Sequence, residues 1–260
     1  MKKTGLKTLY ILGVLLFWAA VWFFVSYKVN NAFLFPDPRE VLATLGSLMR
    51  EKSFWKISLT SLWGILKGIL IATFAGVLLA ILTTKIKPLD VLLRPLMTVV
   101  KSTPIASFII LAIIWMKRQD LPVFITILIV IPIVWSNVTE GLKSVDKNLA
   151  DVAKVYKFSV FEKIRYLYIP TVLPFFMAAV KSVLGMAWKA GIAAEVLATP
   201  PDTIGRELYY SKTYMETNVM FAWTLVVILL SLIIEKILIF GIEKLTRKLK
   251  FSRGEERVAK

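Results

Sequence analysis

Ionisable side chains interrupt several of the most apolar stretches of the chain, and they are the first candidates for chemistry. They are Lys67, Lys101, Lys181, Lys189 and Glu195. Charge inside a membrane span is costly and by default marks a functional site. The chain has no cysteine and no histidine, which excludes thiolate nucleophiles, disulfides, histidine acid–base catalysis and histidine metal sites. We therefore predict no catalytic residue and no metal site, and we expect charges of this kind to serve a solute pathway.

The segment "KSTP" combines one of these lysines with a helix breaker. Pro104 removes a backbone hydrogen bond, and the hydroxyls of Ser102 and Thr103 can satisfy the carbonyl groups that it frees. Broken helices are tolerated within a membrane where they line a cavity. We assign Lys101, Ser102, Thr103 and Pro104 to a translocation pathway, and a structural role for Lys101 is the equal alternative.

A second polar group, Trp188, Lys189 and Glu195, lies in a later apolar run. Lys189 and Glu195 are six residues apart, which is about 240° around a helix. They are not expected to pair on one straight helix, so each should meet a partner on another span or line an aqueous path. We assign all three to the pathway, and a structural role for Lys189 is the equal alternative. Lys67 and Lys181 lie near the ends of their runs, where snorkelling is the simpler interpretation.

The apolar runs that must position these residues define the fold class. The chain is 57% hydrophobic, with a mean hydropathy of +0.71, and several runs approach the roughly 20 residues that span a bilayer as a helix. The first run is longer than a signal-peptide core and lacks a small-residue cleavage site. We predict an all-α, polytopic membrane protein with one transmembrane domain over residues 1–260. Its six spans are predicted at about residues 9–25, 62–84, 96–116, 121–138, 171–197 and 219–242.

The distribution of lysine and arginine orients these spans. Six spans place both termini on one side, and cytoplasmic loops carry the excess of basic residues. With the termini inside, the inner segments hold 19 lysines and arginines and the outer segments hold nine. We therefore predict cytoplasmic termini. The net charge of +16 is then explained by anionic lipid, so we expect a lipid bilayer as partner and no nucleic acid.

One predicted outer segment, "FPDPREVLATLGSLM", has the pattern of an amphipathic helix. Asp37 can cap it, Pro38 suits its first position and Glu40 completes a capping box. The expected apolar face consists of Val41, Leu42, Leu45, Leu48 and Met49. We interpret the helix as an interfacial packing element.

Residues 146–170 form a polar interruption between two apolar runs, and two short helices are predicted within them. In the first, Asp146 is the N-cap and one face carries Leu149, Val152, Ala153 and Tyr156, whereas Asp151 lies off that face. A turn at Lys157 and Phe158 follows. Ser159 and Glu162 have the spacing of a capping box that opens the second helix. Its apolar face consists of Phe161, Ile164 and Tyr168, and Pro170 then disturbs the backbone.

We name residues 146–170 the elbow. It is too polar to insert into lipid, yet its apolar stripes need a surface to bury against. A linker between two spans does not need two capped helices with apolar faces. The spacing therefore favours a helix–turn–helix docking element over a solvated loop.

The elbow resembles the cytoplasmic signature loop of the permeases of ABC importers, whose pattern is E-A-A, three residues, G, nine residues, I-x-L-P. Asp151, Val152 and Ala153 stand at E-A-A, Lys157 stands at the glycine, and Pro170 closes the match. A lysine at a turn that needs a positive φ costs roughly 1 kcal/mol over glycine. The resemblance extends from about residue 35 to 251 through "FPDPREVLATL", "SLTSLWGILKGILIATFAGVLLAI", "LLRPLMTVVKSTPIASFIILAIIWM" and "GMAWKAGIAAEVLATPPDTIG". These segments are similar to those of the nitrate/sulfonate/taurine-type permeases.

The resemblance implies an importer subunit of the bacterial inner membrane. Two permeases, here expected to be a homodimer, would form the pathway, and an external substrate-binding protein would deliver the solute. Two cytoplasmic ATPase subunits would each receive an elbow, and they would carry ATP and Mg, since this chain has no Walker-type motif and is expected to bind no cofactor. The coupling residues are then Leu149, Asp151, Val152, Ala153, Tyr156, Lys157, Ser159, Phe161, Glu162 and Pro170. The two lysines of the pathway favour a small anionic or strongly polar organic solute.

Three other functions remain as alternatives. A secondary transporter or channel that works without ATP would show inverted repeats, which are not visible in the sequence, and would leave the elbow unexplained. A membrane enzyme is disfavoured by the available side chains. A structural scaffold would not require the third span to be polar and broken by proline.

Overall fold

The computed structural model describes the backbone of residues 2–258 and the side chains of residues 10, 12–14, 16–241 and 244. Within this part of the chain the fold is all-α, as predicted. The helices are α1 (Lys2–Val29), α2 (Pro38–Leu48), α3 (Lys52–Lys85), α4 (Lys87–Ser102), α5 (Ile105–Trp115), α6 (Leu121–Lys143), α7 (Lys147–Val155), α8 (Val160–Lys163), α9 (Ile169–Ala198), α10 (Ile204–Thr213) and α11 (Thr217–Val258). A π-helical turn, Ile164–Tyr168, joins α8 to α9.

Five described stretches are helical, long and apolar enough to cross a membrane. They are Leu12–Val29, Lys52–Lys85, Leu121–Lys143, Val160–Ala198 and Thr217–Gly241. Most exceed the predicted spans, because a helix continues its backbone hydrogen bonds beyond the apolar run that defines a span. The predicted third span is two helices, α4 and α5, bent by 105°. The pair begins at Lys87, nine residues before the predicted start.

Close contacts at glycines fix the relative direction of the three central helices. A methyl group added at Gly68 would lie 2.8 Å from the Cβ of Thr126, and one added at Gly76 would lie 2.9 Å from the Cβ of Val134. The residue numbers of the contacting positions rise together along the two helices, so α3 and α6 run parallel. At Gly141 the neighbour is Phe175, whereas Thr126 approaches Gly191, so α9 runs antiparallel to α6.

Because α3 and α6 run parallel, α4 and α5 together must carry the chain back along the bundle. This direction is the one that six crossings require, and the number of crossings stays a prediction. Residues 144–168 then lie at the end of the bundle where α3 and α6 finish. The last turns of α9, together with α2, α10 and the start of α11, lie at the opposite end.

The core lies between α3, α6 and α9. The helices α11 and α2 pack on this core at the end of the bundle where α10 lies. Within α2, Val41 is buried and Leu45 and Leu48 pack on this core, whereas Leu42 and Met49 are exposed. The predicted apolar face is therefore narrower than expected. The Asp37 carboxylate caps α2 by accepting from the N–H of Arg39 at 2.7 Å, and not from Glu40, so the predicted capping box does not form among the described bonds.

Candidate coupling and pathway sites

The first half of the elbow is α7, and its sequence determines both ends. Asp146 is the N-cap, as predicted, and its carboxylate accepts from the N–H of Asn148 at 2.8 Å. At the other end Lys157 has a φ of 53°, which is left-handed. The N–H of Lys157 donates to the Lys154 carbonyl, and the N–H of Phe158 donates to the Ala153 carbonyl, both at 2.9 Å. These two bonds form a Schellman motif, so the family's glycine position does require a positive φ in this chain.

The second half of the elbow opens with the predicted capping box. The Ser159 hydroxyl accepts from the N–H of Glu162 at 3.2 Å, and the Glu162 carboxylate accepts from the N–H of Ser159 at 2.7 Å. Both orphan N–H groups are thereby satisfied. The helix α8 that follows has only four residues.

The backbone disturbance predicted at Pro170 takes the form of the π-helical turn directly before the proline. The chain stays helical from Val160 to Ala198, because the π-helical turn changes the hydrogen-bond register before the proline is reached. In that turn the N–H of Ile169 donates to the carbonyl of Ile164, five residues back. Pro170 lies in the first turn of α9, where a missing N–H is tolerated. The second half of the elbow is therefore continuous as helix with α9.

The apolar stripes of the elbow are exposed in the single chain. Tyr156 is 73% exposed and Phe161 is 70% exposed. Leu149, Val152 and Ile164 are each about half exposed, at 55%, 49% and 45%. Apolar side chains in this number on two capped short helices mark an interaction surface.

Ala153 does not belong to this surface, since it is 5% exposed and buried within the chain itself. An Ala153→Asp variant would therefore disturb the elbow's own packing. The predicted apolar face of α7 is therefore exposed without Ala153, and Tyr156 is the better position for a test of docking.

Two charged side chains of α7, Asp151 and Lys154, lie at exposed positions of the elbow. Lys154 Nζ donates to the Asp151 carboxylate at 2.8 Å. This hydrogen bond, with the charge of Asp151, raises the pKa of Lys154. Both side chains are largely exposed, so the pair adds little stability.

At the other predicted site, the bend between α4 and α5, the two hydroxyls bond to carbonyls of the preceding turn and not to the carbonyl of Val100, which Pro104 frees. Thr103 Oγ1 donates to the Val99 carbonyl at 2.8 Å, and Ser102 Oγ donates to the Thr98 carbonyl at 3.0 Å. Thr103, which precedes Pro104, is extended with φ −82° and ψ 133°, as the residue before a proline should be. These hydroxyls satisfy their own helix, so a further role for them in the pathway stays a prediction.

The two candidate pathway lysines differ in their surroundings. Lys101 Nζ donates to Ser136 Oγ of α6 at 3.1 Å. Lys189 is exposed on α9, and no described side chain forms a hydrogen bond or salt bridge with it. The structure does not bring the two ammonium groups into contact.

Trp188 and Glu195 are buried and have partners within the chain. Trp188 Nε1 donates to the Val227 carbonyl of α11 at 3.0 Å. Glu195 is 1% exposed, and its Oε2 accepts from Ser61 Oγ at 2.8 Å and from the N–H of Gly205 at 3.0 Å. Lys189 is not among these partners, as the 240° spacing predicted. The pathway role of Trp188 and Glu195 stays untested, and their observed contacts are packing contacts.

Glu195 belongs to a buried polar cluster at the start of α10, which we name the α10 anchor and define as Ser61, Glu195, Thr203, Ile204 and Gly205. A helix begins with orphan N–H groups that need acceptors. The Ile204 N–H donates to Ser61 Oγ at 2.8 Å, and the Arg206 N–H lies 3.4 Å from Thr203 Oγ1. With the Gly205–Glu195 bond, three successive N–H groups of α10 have side-chain acceptors.

Two features of the chain make this anchor possible. The helix α9 ends at Thr199, which has a φ of 47°, and the "PPD" turn that follows reverses the chain. A methyl group added at Gly205 would lie 2.2 Å from the Cβ of Glu195 and 2.5 Å from the nitrogen of Val196. Only glycine fits at this contact. Sequence reasoning missed Ser61 and Gly205, although a buried carboxylate in an apolar span indicates that a donor must lie nearby.

Exposed charges surround the α10 anchor. Lys56 Nζ donates to the Asp202 carboxylate at 2.5 Å, which joins the start of α3 to the turn before α10. Partial burial raises the pKa of Glu207, and the charge of Arg206 opposes that shift.

Comparisons with known proteins agree with this architecture. The family model of the binding-protein-dependent transport system inner membrane component matches residues 68–240, about two thirds of the chain. A putative aliphatic sulfonates transport permease protein, SsuC of Bacillus subtilis, is 24% identical over 78% of this chain and 74% of its own length. The bicarbonate transport system permease protein CmpB of Synechococcus elongatus is 24% identical over 64% of this chain and 61% of its own length.

A third relative aligns with nearly the whole chain. The taurine transport system permease protein TauC of Escherichia coli is 24% identical over 94% of this chain and 90% of its own length. The matched family region contains the α4–α5 bend, the elbow and all of the α10 anchor except Ser61. The chain therefore belongs to the family of binding-protein-dependent transport system inner membrane components, and it is a permease subunit of an ABC-type importer.

Proposed function

We propose that this permease imports a small anionic or strongly polar organic solute and couples its movement to ATP hydrolysis through the elbow. The single observation that carries the coupling half of the proposal is the exposed apolar surface of Leu149, Val152, Tyr156, Phe161 and Ile164. The local caps satisfy the first N–H groups and the last carbonyls of the short helices, so docking needs no rearrangement of the backbone. A partner surface would bury only side chains.

Charge and relatives support the solute half of the proposal. Lys101 and Lys189 are cations without a carboxylate partner among the described residues. An ammonium in a partly dry cavity needs a counter-charge, which a passing anion can supply. The relatives described above are named for sulfonates, bicarbonate and taurine, and each of these carries an anionic group.

The proposed assembly contains two permeases, here two copies of this chain, with two ATPase subunits on the cytoplasmic side. An external binding protein delivers the solute. ATP and Mg bind to the ATPase subunits. Both termini and the elbow face the cytoplasm, and closure of the ATPase pair moves the elbow with α9 as one rigid body.

Orientation is tested by labelling of introduced cysteines, which is specific because the chain has no native cysteine. Single cysteines are placed at Asn148 in the elbow and at Thr213 at the end of α10. In intact cells a membrane-impermeant thiol reagent should label the Thr213 position and spare the Asn148 position. Labelling only at the Asn148 position would invert the proposed orientation.

Transport is tested with the reconstituted permease, its ATPase and its binding protein. Radiolabelled butanesulfonate, taurine and bicarbonate serve as probes. Lys101→Met and Lys189→Met should each lower the amount of probe moved per ATP hydrolysed, whereas Lys212→Met, on the exposed surface of α10, should match the parent. Parental transport by both pathway variants would remove the support that the lysines give to an anionic solute.

A further inference from the structure

We propose that Ser136 is a positioning residue of the pathway, which holds the Lys101 ammonium at the α4–α5 bend where an anionic solute meets it. The inference rests on the proposed pathway role of Lys101. Ser136 lies on α6, 35 residues along the chain from Lys101, and their side chains are joined by the 3.1 Å hydrogen bond. No sequence pattern connects the two residues.

The hydrogen-bond inventory of the two groups fixes the direction of this bond. A lysine ammonium has three donors and no acceptor, and a serine hydroxyl has one donor and two lone pairs. Ser136 Oγ also lies 3.2 Å from the carbonyl of Ile133, which can only accept. The single hydroxyl hydrogen is therefore directed to Ile133, and Ser136 presents a lone pair to Lys101. An oxygen in this state can hold a cation and cannot itself donate to an anion.

The bond leaves the ammonium available for a solute. One N–H of Lys101 is used on Ser136, and no described carboxylate pairs with the remaining two. Both hydroxyls of the adjacent "KST" segment are bonded to carbonyls of their own helix. Lys101 is thus the polar side chain of the bend that reaches across to α6.

A fixed ammonium binds better than a free one. Lysine carries a charge on a flexible four-carbon stem, and ordering that stem on binding costs free energy. A hydrogen bond to α6 supplies this order in advance. Since α6 leads directly into the elbow, the same bond keeps the ammonium in register with the helix that precedes the coupling surface.

The test measures the probe moved per ATP hydrolysed by the complete reconstituted complex, at a saturating concentration of loaded binding protein. Of butanesulfonate, taurine and bicarbonate, the probe that the parent moves fastest is used. Ser136→Ala should lower this ratio about fivefold, the effect of one hydrogen bond, with parental ATP hydrolysis. Ser136→Thr retains a hydroxyl and should restore the ratio to within about twofold of the parent.

Two further variants separate positioning from a general disturbance of α6. Ser144→Ala removes a hydroxyl that donates to the carbonyl three residues back, Gly141, at 2.9 Å, and it should match the parent. In a Lys101→Met background, Ser136→Ala should cause no additional loss. An additional loss in that background, an equal loss in Ser144→Ala, or failure of threonine to rescue would overturn the proposal.

The outcomes also distinguish this inference from the proposed function. If Lys101→Met lowers the ratio and Ser136→Ala does not, positioning by Ser136 is wrong and the anion pathway stands. If Lys101→Met matches the parent, or if the parent moves none of the three probes, the pathway role of Lys101 fails and the inference fails with it.

Discussion

At its first residues α9 continues from the elbow, whose apolar side chains are exposed, and at its last residues it carries Glu195, whose carboxylate is buried. Glu195 lies 26 residues after Ile169, the first residue of α9, so these two positions are about 39 Å apart. In the elbow the polar backbone is satisfied locally and the apolar surface awaits another chain. In the α10 anchor the polar groups are satisfied by distant segments of the same chain. Under the proposed function a partner completes the elbow, whereas the hydrogen bonds of the α10 anchor are complete within the chain.

This difference separates stability from assembly. Substitutions in the α10 anchor should lower the stability of the permease and leave the affinity for the ATPase unchanged in the protein that still folds. Substitutions on the exposed stripe of the elbow should do the reverse.

Gly205→Ala should cause the largest loss of stability. The added methyl group would overlap the backbone of Glu195 and Val196, which cannot move without displacing α9, and overpacking of this kind costs about 3 kcal/mol or more. Thermal unfolding of the purified permease in detergent measures the effect. Gly46→Ala is the control, because nothing lies within 4 Å of the added group and alanine favours a helix. A parental melting temperature for Gly205→Ala would show that the α9–α10 contact is wrong.

Tyr156→Asp should abolish co-purification of the ATPase. Burial of an unpaired carboxylate at an interface costs several kcal/mol, whereas the same change at an exposed site of the single chain shifts stability by less than about 0.5 kcal/mol. Asn148→Asp adds the same charge to α7 away from the stripe and should retain the ATPase. Normal co-purification and transport by Tyr156→Asp would remove this surface from the proposed interface.

Glu195→Ala should lower the stability by about 2–3 kcal/mol, because the N–H of Gly205 is left buried without an acceptor. Ser61→Ala should lower it by a similar amount, because the buried N–H of Ile204 loses its acceptor. The double variant should cost less than the sum of the two, as expected for residues in one network. Thermal unfolding checks all three, and strict additivity would contradict a shared network. ATPase binding should stay parental in each.

Lys157→Gly should have the smallest effect, a stabilisation of the elbow by up to about 1 kcal/mol, because Lys157 has a left-handed backbone that glycine adopts without strain. Hydrogen exchange of the Phe158 N–H, which is bonded to Ala153, reports this local stability. Lys154→Gly, in the last turn of α7, should instead speed exchange. Unchanged or faster exchange in Lys157→Gly would contradict the strain at this turn, and loss of ATPase binding in Lys157→Gly would show that Lys157 makes a specific contact.

The two regions also differ in how far the sequence predicts them. Asp146, Lys157 and the Ser159–Glu162 pair act on residues two to five positions away, so the elbow's caps and its turn follow from local spacing. The π-helical form of the disturbance before Pro170 was not predicted, because hydrogen-bond register is not visible in residue types. The burial of Ala153 was missed because it depends on how α7 packs.

Contacts between distant segments explain what the sequence did not predict. Ser61 and Glu195 are 134 residues apart, and Lys101 and Ser136 are 35 apart. Each lysine or carboxylate was identified as a candidate because a charge in an apolar run is conspicuous. Their serine partners were missed, because a serine in an apolar helix usually satisfies its own backbone.

Photocross-linking from the two regions tests the central claim most directly. A benzophenone side chain is introduced in turn at Val152, Tyr156 and Phe161 of the elbow, and at Tyr209 and Tyr214 at the opposite end of the bundle. The side chains at all five positions are exposed in the single chain. In the assembled importer the elbow positions should cross-link to the ATPase, and the two tyrosine positions should not. Cross-links to the ATPase from Tyr209 or Tyr214, with none from the elbow, would contradict the account.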